Sequence, residues 1–183
     1  MRIIAGTAGR CAIKVPAAVT RPTTDFVRQA VFSILSQQVE NTRVLDLYAG
    51  SGAIGLEALS RGASSCVFVD EHRQACAVIT DNLASTRLTG GRAVKAEVVS
   101  FLKRDTATYD LIFADPPYWH HYGDKDHVAD LLNSGLLAPR LAPGGWFIAE
   151  ISAHQPSPAA PDLALTDRRH YGGSAILFFS RSS

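Results

Sequence analysis

The chain has 183 residues, 46% hydrophobic and 19% charged, values that suit one globular domain and exclude wholesale disorder. No apolar run approaches the ~20 residues of a membrane span, and three cysteines without CxxC spacing (Cys11, Cys66, Cys76) argue for reduced thiols in a cytoplasmic protein rather than a disulfide or zinc framework. The formal net charge is +1, yet residues 1–28 carry five cations against Asp25 alone, leaving the rest of the chain at −3.

The opening Met1-Arg2-Ile3-Ile4-Ala5-Gly6 is too short and too quickly interrupted for a secretory signal. Residues 2–5 and 11–15 read as two short strands around a Gly6/Gly9 turn, a basic hairpin extension over 1–20 ahead of a main domain over 21–183. In Arg21-Pro22-Thr23-Thr24-Asp25, Pro22 blocks a helix before it and Thr23 or Thr24 caps the one that follows. Val27, Val31, Ile34 and Leu35 then share one helix face.

From Arg43 strand and helix alternate. Strands are predicted over 44–48, 66–69, 93–96, 111–114 and 146–149, the last after a Pro143-Gly144-Gly145 turn. Helices are predicted over 53–60, over 72–83 with Cys76, Ile79 and Leu83 inward, through Phe101, and over 126–132. Such alternation predicts an α/β fold, a mostly parallel sheet with helices on both faces. In the tail, Leu163-Ala164-Leu165 and Ala175 to Phe179 flank only Tyr171-Gly172-Gly173, which predicts an antiparallel strand pair at one edge.

Two loops carry chemistry. The first runs from Asp46 through Tyr48, Ala49, Gly50 and Gly52 to Gly55, a G-x-G-x-x-G between strand and helix that lets backbone pass close to a ligand. Asp70 ends the next strand, 20 residues after Gly50, where an acid can bond ribose hydroxyls. A dinucleotide would set its pyrophosphate on the helix N-terminus. S-adenosylmethionine has no phosphate but a sulfonium, an ammonium and a ribose, and Asp46 and Asp70 suit it better. Glu97, followed by Val98, stands after the third strand, either meeting the adenine amino group or serving as a helix N-terminal acid.

The second loop is Asp115-Pro116-Pro117-Tyr118, after the fourth strand. Two prolines fix a rigid turn and supply no N–H, leaving carbonyls to accept. An exocyclic nucleobase amine is a poor nucleophile because its lone pair is delocalised into the ring. A carboxylate with a backbone carbonyl can hold both amine hydrogens and stabilise the positive charge that grows on nitrogen, while Tyr118 offers a face for stacking the base. In an open α/β sheet both loops face the crevice where strand order reverses. Trp119, His120, His121 and Tyr122 read as a lid, a nucleotide contact or an exposed loop. Without a matched Cys/His/Asp cluster the histidines are not metal ligands. Arg2, Arg10, Lys14, Arg21, Thr24 and Arg28 are the candidate contacts to a polyanion, with a merely solvated segment as the alternative.

With these residues in hand, the sequence resembles the RsmD-type methyltransferases, bacterial enzymes that methylate the exocyclic N2 of one guanine in small-subunit ribosomal RNA. The resemblance rests on Arg2 to Gly6, Lys14-Val15-Pro16, Arg21 to Asp25, Asp46 to Gly52, Gly55-Leu56-Glu57-Ala58-Leu59-Ser60-Arg61-Gly62-Ala63, Asp115 to Tyr118 and Tyr171-Gly172. It implies a class I Rossmann-like fold, S-adenosylmethionine as donor with S-adenosylhomocysteine as product, and no metal. It also implies amine transfer at Asp115 to Tyr118, with the Arg21 to Asp25 loop beside it. The partner implied is 16S ribosomal RNA, naked or in an assembling 30S particle, met by a cytoplasmic monomer. Thr7, Ala8, Cys11 and Ala12 stand where lysines or arginines are common in the family, Phe26 replaces a usual arginine, and Glu97 a usual Asp or Asn. The rival readings are an adenine-N6 methyltransferase on DNA or RNA, and a non-catalytic RNA-binding module. A protein-glutamine methyltransferase would show Asn for Asp115, and an NAD-linked oxidoreductase would need a second mononucleotide half.

Overall fold

Short, wholly apolar runs such as Val44-Leu45 and Leu111-Ile112-Phe113 are what a strand covered on both faces requires, and they build the centre of the sheet. The computed structural model describes residues 1–16, 25–117 and 125–181. Among them, β1 (Arg43–Leu47), β2 (Ser65–Asp70), β3 (Gly91–Lys95), β4 (Tyr109–Ala114), β5 (Leu141–Ser152), β6 (Leu163–Tyr171) and β7 (Ser174–Arg181) form one seven-stranded sheet. Its order is β3-β2-β1-β4-β5-β7-β6. The first five strands in that order run parallel, and β7 enters antiparallel between β5 and β6. No helix among the described residues is long and apolar enough to cross a membrane.

Side chains alternate across the strands, so the sheet separates two apolar layers. Val44, Cys66, Phe68, Leu111, Phe113 and Ile148 meet α1 (Asp25–Leu35), α2 (Ala53–Ser60) and α3 (Arg73–Thr86) on one face. Leu45, Val67, Val69, Ile112, Phe147 and Ala149 meet α4 (Val98–Arg104) and α5 (His127–Asn133) on the other. The chain leaves β3 at one edge and re-enters as β4 beside β1, so the carboxyl ends of β1 and β4 border the crevice where strand order reverses.

Several expectations are corrected. The N-terminal hairpin forms as a minimal one: Arg2 and Ala12 make an isolated antiparallel bridge, and backbone bonds join Ile3 to Cys11 and Arg10, and Met1 to Ile13. The amides of Ile4 and Ala5 bond to the carboxylate of Glu57 on α2, so a side chain from the main body satisfies donors outside that pairing. In α3 the fully inward positions are Ala75, Ile79, Asn82 and Thr86, while Cys76 and Leu83 are only partly covered. The Pro143-Gly144-Gly145 turn lies inside β5, where the pairing shifts between Tyr109 and Leu111 and absorbs those residues as an irregularity. β6 runs on to Tyr171, well beyond Leu165, because β7 supplies a partner along its length.

Candidate active site

The glycine loop is bound at both ends by carboxylates. Asp46 is buried in β1, and its Oδ2 accepts from the Gly55 amide at 3.0 Å, joining the strand to the first turn of α2. Asp70, the last residue of β2, accepts from the Gly50 amide at 2.9 Å through Oδ2, and from the His72 amide at 2.8 Å through Oδ1. The Ala49 amide reaches the Val69 carbonyl at 3.1 Å, so the loop lies across the end of β2. Gly50 and Gly52 take φ of 53° and 77°, and Gly52 opens α2 from that left-handed conformation. Tyr48 also has a left-handed φ of 59°, and its ring meets that of His127 edge-on at 5.5 Å. Strain of this kind at a non-glycine residue gathers at ligand sites.

The acceptor turn stands beside it. Leu47 pairs with Ala114, so Asp115 emerges from β4 alongside Tyr48. Burial pushes the Asp46 carboxyl well above the usual carboxylate range, the Gly55 amide opposes this, and the nearby charges of Asp115 and Asp70 raise it further. Burial likewise raises the Tyr48 phenol, with Glu97, Asp130 and Glu71 adding to the shift. Three carboxyl groups thus gather at the ends of β1, β2 and β4, and their mutual repulsion is what a nearby cation would relieve. These residues suit a sulfonium donor, where a pyrophosphate would add to the repulsion. Among the described residues, no group of three or more His, Cys, Asp or Glu could hold a metal ion.

Two cavities flank the turn. One is lined by Asp115 and Glu150 with apolar walls from Val27, Ile54, Ile148 and Ile176. The other is lined by Pro116, Pro117, Asp126, His127, Glu150 and Gln155. Asp126 caps α5 through the Ala129 amide at 2.9 Å and receives Gln155 Nε2 at 2.7 Å, which pins the far side of the turn. Tyr118 lies outside the described residues, as do Trp119, His120, His121 and Tyr122.

Other candidates separate. Glu97 caps α4, its two oxygens accepting from Val99 at 2.9 Å and Ser100 at 2.7 Å, the helix-terminal alternative weighed for it. Burial raises its carboxyl, but those bonds and Lys125 outweigh this and lower it. Val98 is buried at the start of that helix. Arg2 and Arg10 are exposed, and Lys14 is exposed but paired with Asp81 at 2.9 Å. Arg28 is a correction: it is buried among Asp25, Glu57 and the Arg2 carbonyl, not spread on a surface. Burial lowers its pKa, though Asp25 and Glu57 oppose the shift. Arg21 and Thr24, with Pro22 and Thr23, lie outside the described residues.

Three buried polar residues escaped the sequence reading. Glu57 holds the N-terminal segment. Asn82 clamps it again, accepting from the Lys14 amide at 2.8 Å and donating to the Lys14 and Ser51 carbonyls, each at 3.0 Å. Glu150 accepts from Ser174 Oγ at 2.8 Å. Only the position of Glu57, inside the segment Gly55 to Ala63 that carries the family resemblance, offered a signal.

The family model described as conserved hypothetical protein 95 matches residues 1–180. YlbH of Bacillus subtilis, provisionally named an rRNA methyltransferase, is 32% identical over 188 residues and 99% of both chains. Ribosomal RNA small subunit methyltransferase D of Escherichia coli is 36% identical over 119 residues, which cover 64% of this chain and 59% of that one. The solved structure of YhhF from Escherichia coli, provisionally named a methyltransferase, superposes with a TM-score of 0.83 at 30% identity, covering 99% of this chain and 97% of that one. With the strand order above, the architecture is the class I, Rossmann-like fold of S-adenosylmethionine-dependent methyltransferases.

Proposed function

The chain belongs to the conserved hypothetical protein 95 family, and from that premise we propose that it methylates small-subunit ribosomal RNA, using S-adenosylmethionine, at the exocyclic N2 of a guanine. The observation that carries the reading is the pairing of Leu47 with Ala114, which sets the glycine loop and the Asp115-Pro116-Pro117 turn side by side at one crevice. The end-to-end likeness to YlbH and the name of the Escherichia coli relative support ribosomal RNA as the substrate class.

The donor carries its transferable methyl on a sulfonium sulfur. Asp70 would meet the ribose hydroxyls through Oδ2, which takes only the Gly50 amide, while Oδ1 faces the His72 amide and ring. Asp46, Tyr48, Ala49, Gly50, Gly52 and Val98 would wall the same pocket. Glu97, already capping α4, has the weakest case for an adenine contact. Asp115 and the Pro116 carbonyl would accept the two N2 hydrogens and keep the nitrogen lone pair aimed at the methyl. As positive charge grows on nitrogen, the Asp115 carboxylate offsets it and receives the released proton. Such preorganised charge is worth a few kcal/mol of barrier, roughly 10²–10³ in rate. Tyr118 would stack on the base. Arg2, Arg10 and Lys14 would grip phosphate, with Arg21 and Thr24 as further contacts to the target. We extend the reading to a cytoplasmic monomer acting on the RNA or on an assembling 30S particle.

The test is transfer of labelled methyl groups to small ribosomal subunits or a helix fragment from them, followed by nucleoside analysis. Label on guanine N2, and its loss in Asp115→Ala with donor affinity retained, is the expected result. Label on adenine would overturn the base assignment, and full activity in Asp115→Ala the mechanism.

A further inference from the structure

We propose that Glu150 is the residue that recognises guanine, accepting the N1–H of the target base while Asp115 holds its N2 amine. The inference rests on the methyl-transfer reading above and names the side chain that sets base specificity within it.

Sheet geometry carries the argument. Ala114 of β4 pairs with Ala149 of β5, so the next residues along these parallel strands, Asp115 and Glu150, are neighbours. Both line the cavity walled by Ile54, Ile148 and Ile176. Glu150 also lines the cavity beneath Pro116 and Pro117, so it lies against the acceptor turn from two sides. A carboxylate 7% exposed has been taken from water, and a core that keeps one there needs polar contacts to offset the cost. One contact is Ser174 Oγ, which donates to Oε1 at 2.8 Å and fixes the carboxylate plane. Ser174 belongs to β7, whose pairing with Ser152 two residues beyond Glu150 sets it at this height.

The chemistry of the purine edge explains two adjacent carboxylates. Guanine presents N1–H and the N2 amine side by side, two neighbouring donors, with O6 as acceptor beyond them. Adenine and cytosine present an amine beside a ring nitrogen that carries a lone pair. An acceptor next to the amine-holding Asp115 therefore complements guanine and opposes the lone pair of the other two. The cavity also holds a donor for O6: Arg28 lines it, and its Nε and Nη1 are buried without a hydrogen-bond partner among the described residues. The cavity lining thus carries two acceptors and a donor, the groups that guanine's two donors and one acceptor call for.

The experiment compares guanine with 2-aminopurine at the target position of a ribosomal RNA helix fragment. 2-Aminopurine keeps the N2 amine but lacks N1–H and O6. For the wild type, kcat/KM should favour guanine by on the order of 10³-fold or more, as in sites built to bond a group the analogue lacks. Glu150→Gln is nearly isosteric and can donate to the bare ring nitrogen. It should lower kcat/KM on guanine and narrow the preference by about tenfold or more, while S-adenosylhomocysteine affinity and melting temperature stay at wild-type values. Ser174→Ala, which leaves the carboxylate but frees its plane, should narrow the preference less, and it repeats the test should Glu150→Gln fail to fold. Wild-type labelling of guanine N2 with the preference unchanged in both variants overturns the role of Glu150 alone. A wild type that labels adenine overturns the underlying reading first, and this inference with it.

Discussion

Replacing Glu57 should cost more stability than replacing any exposed charge in the chain. Its carboxylate is fully buried and accepts from Ile4 at 2.7 Å, Ala5 at 3.1 Å and Arg61 Nε at 2.7 Å, with Arg28 Nε at 3.8 Å. Glu57→Ala leaves the Arg28 guanidinium buried and two backbone amides without their acceptor. Removing one partner of a buried pair costs about 3–5 kcal/mol, and the orphaned amides fall within that figure because the groups act as one network. For a domain of this size the loss should lower Tm by roughly 6–20 °C. Urea and thermal denaturation measure it. Two further variants separate the causes. Glu57→Gln keeps an acceptor for one amide and should lose less. Arg28→Met combined with Glu57→Leu removes both charges at once and should be less damaging than the sum of its parts. Limited proteolysis should show residues 1–16 becoming protease-sensitive in Glu57→Ala, because Ile4 and Ala5 lose their anchor. A Tm within a degree or two of wild type, or strict additivity in the double variant, would refute the view that this carboxylate is the keystone of the N-terminal segment.

Other expectations concern the same segment and the RNA. Gly6 has φ of 83°, and a Cβ there would sit 1.8 Å from the Ser60 carbonyl oxygen, so Gly6→Ala must displace the Thr7 amide from that carbonyl. It should destabilise by more than the ~1–3 kcal/mol of left-handed strain alone, read as a lowered urea midpoint. Arg2→Ala and Arg10→Ala, at exposed positions, should each weaken binding of a ribosomal RNA fragment and reduce the slope of log K against log salt by up to about 1. Lys14→Ala should change that slope less, since Lys14 already pairs with Asp81. Slopes equal to that of the wild type in all three variants would show that this segment does not meet phosphate.

The parts of this molecule legible in its sequence are those written locally. β1, β2 and β4 are apolar runs bounded by glycine, proline or charge, and nothing distant is needed to recognise them. The glycine loop and the double-proline turn are likewise contiguous, and the topology rule for open sheets brings them together. What was misread depends on partners far along the chain. Residues 2–5 alternate like a strand, but Glu57 takes two of their amides. Arg28 adds to a basic stretch on paper, yet its helix face turns it inward onto that same carboxylate. Asn82 is an unremarkable polar residue until Lys14 and Ser51 meet it. Glu150 follows an apolar strand and reads as the end of it. Its pairing with Ser174 is set by strand order, which local pattern does not encode.

The acid trio connects pH to donor choice. In the folded protein Asp46 titrates well above its unfolded value, first because it is buried and then because Asp115 and Asp70 repel its charge. A carboxyl raised in this way costs nothing at acid pH, where it is protonated in both states. Its penalty appears as pH rises from the ordinary carboxylate range through the folded value. Wild-type stability should therefore decline over that interval, and Asp46→Asn, whose amide oxygen can still accept from Gly55, should flatten the decline. Ionised Asp46 also favours a cation nearby, and S-adenosylmethionine carries a sulfonium where S-adenosylhomocysteine carries a neutral sulfide. The affinity ratio of donor to product should then shift toward the donor as pH rises in the wild type, and stay level in Asp46→Asn. Calorimetric titration of both ligands from the ordinary carboxylate range upward, at constant ionic strength to hold screening fixed, measures that ratio. A ratio that moves equally with pH in both proteins would place the titrating group elsewhere and remove Asp46 from the electrostatics of methyl transfer.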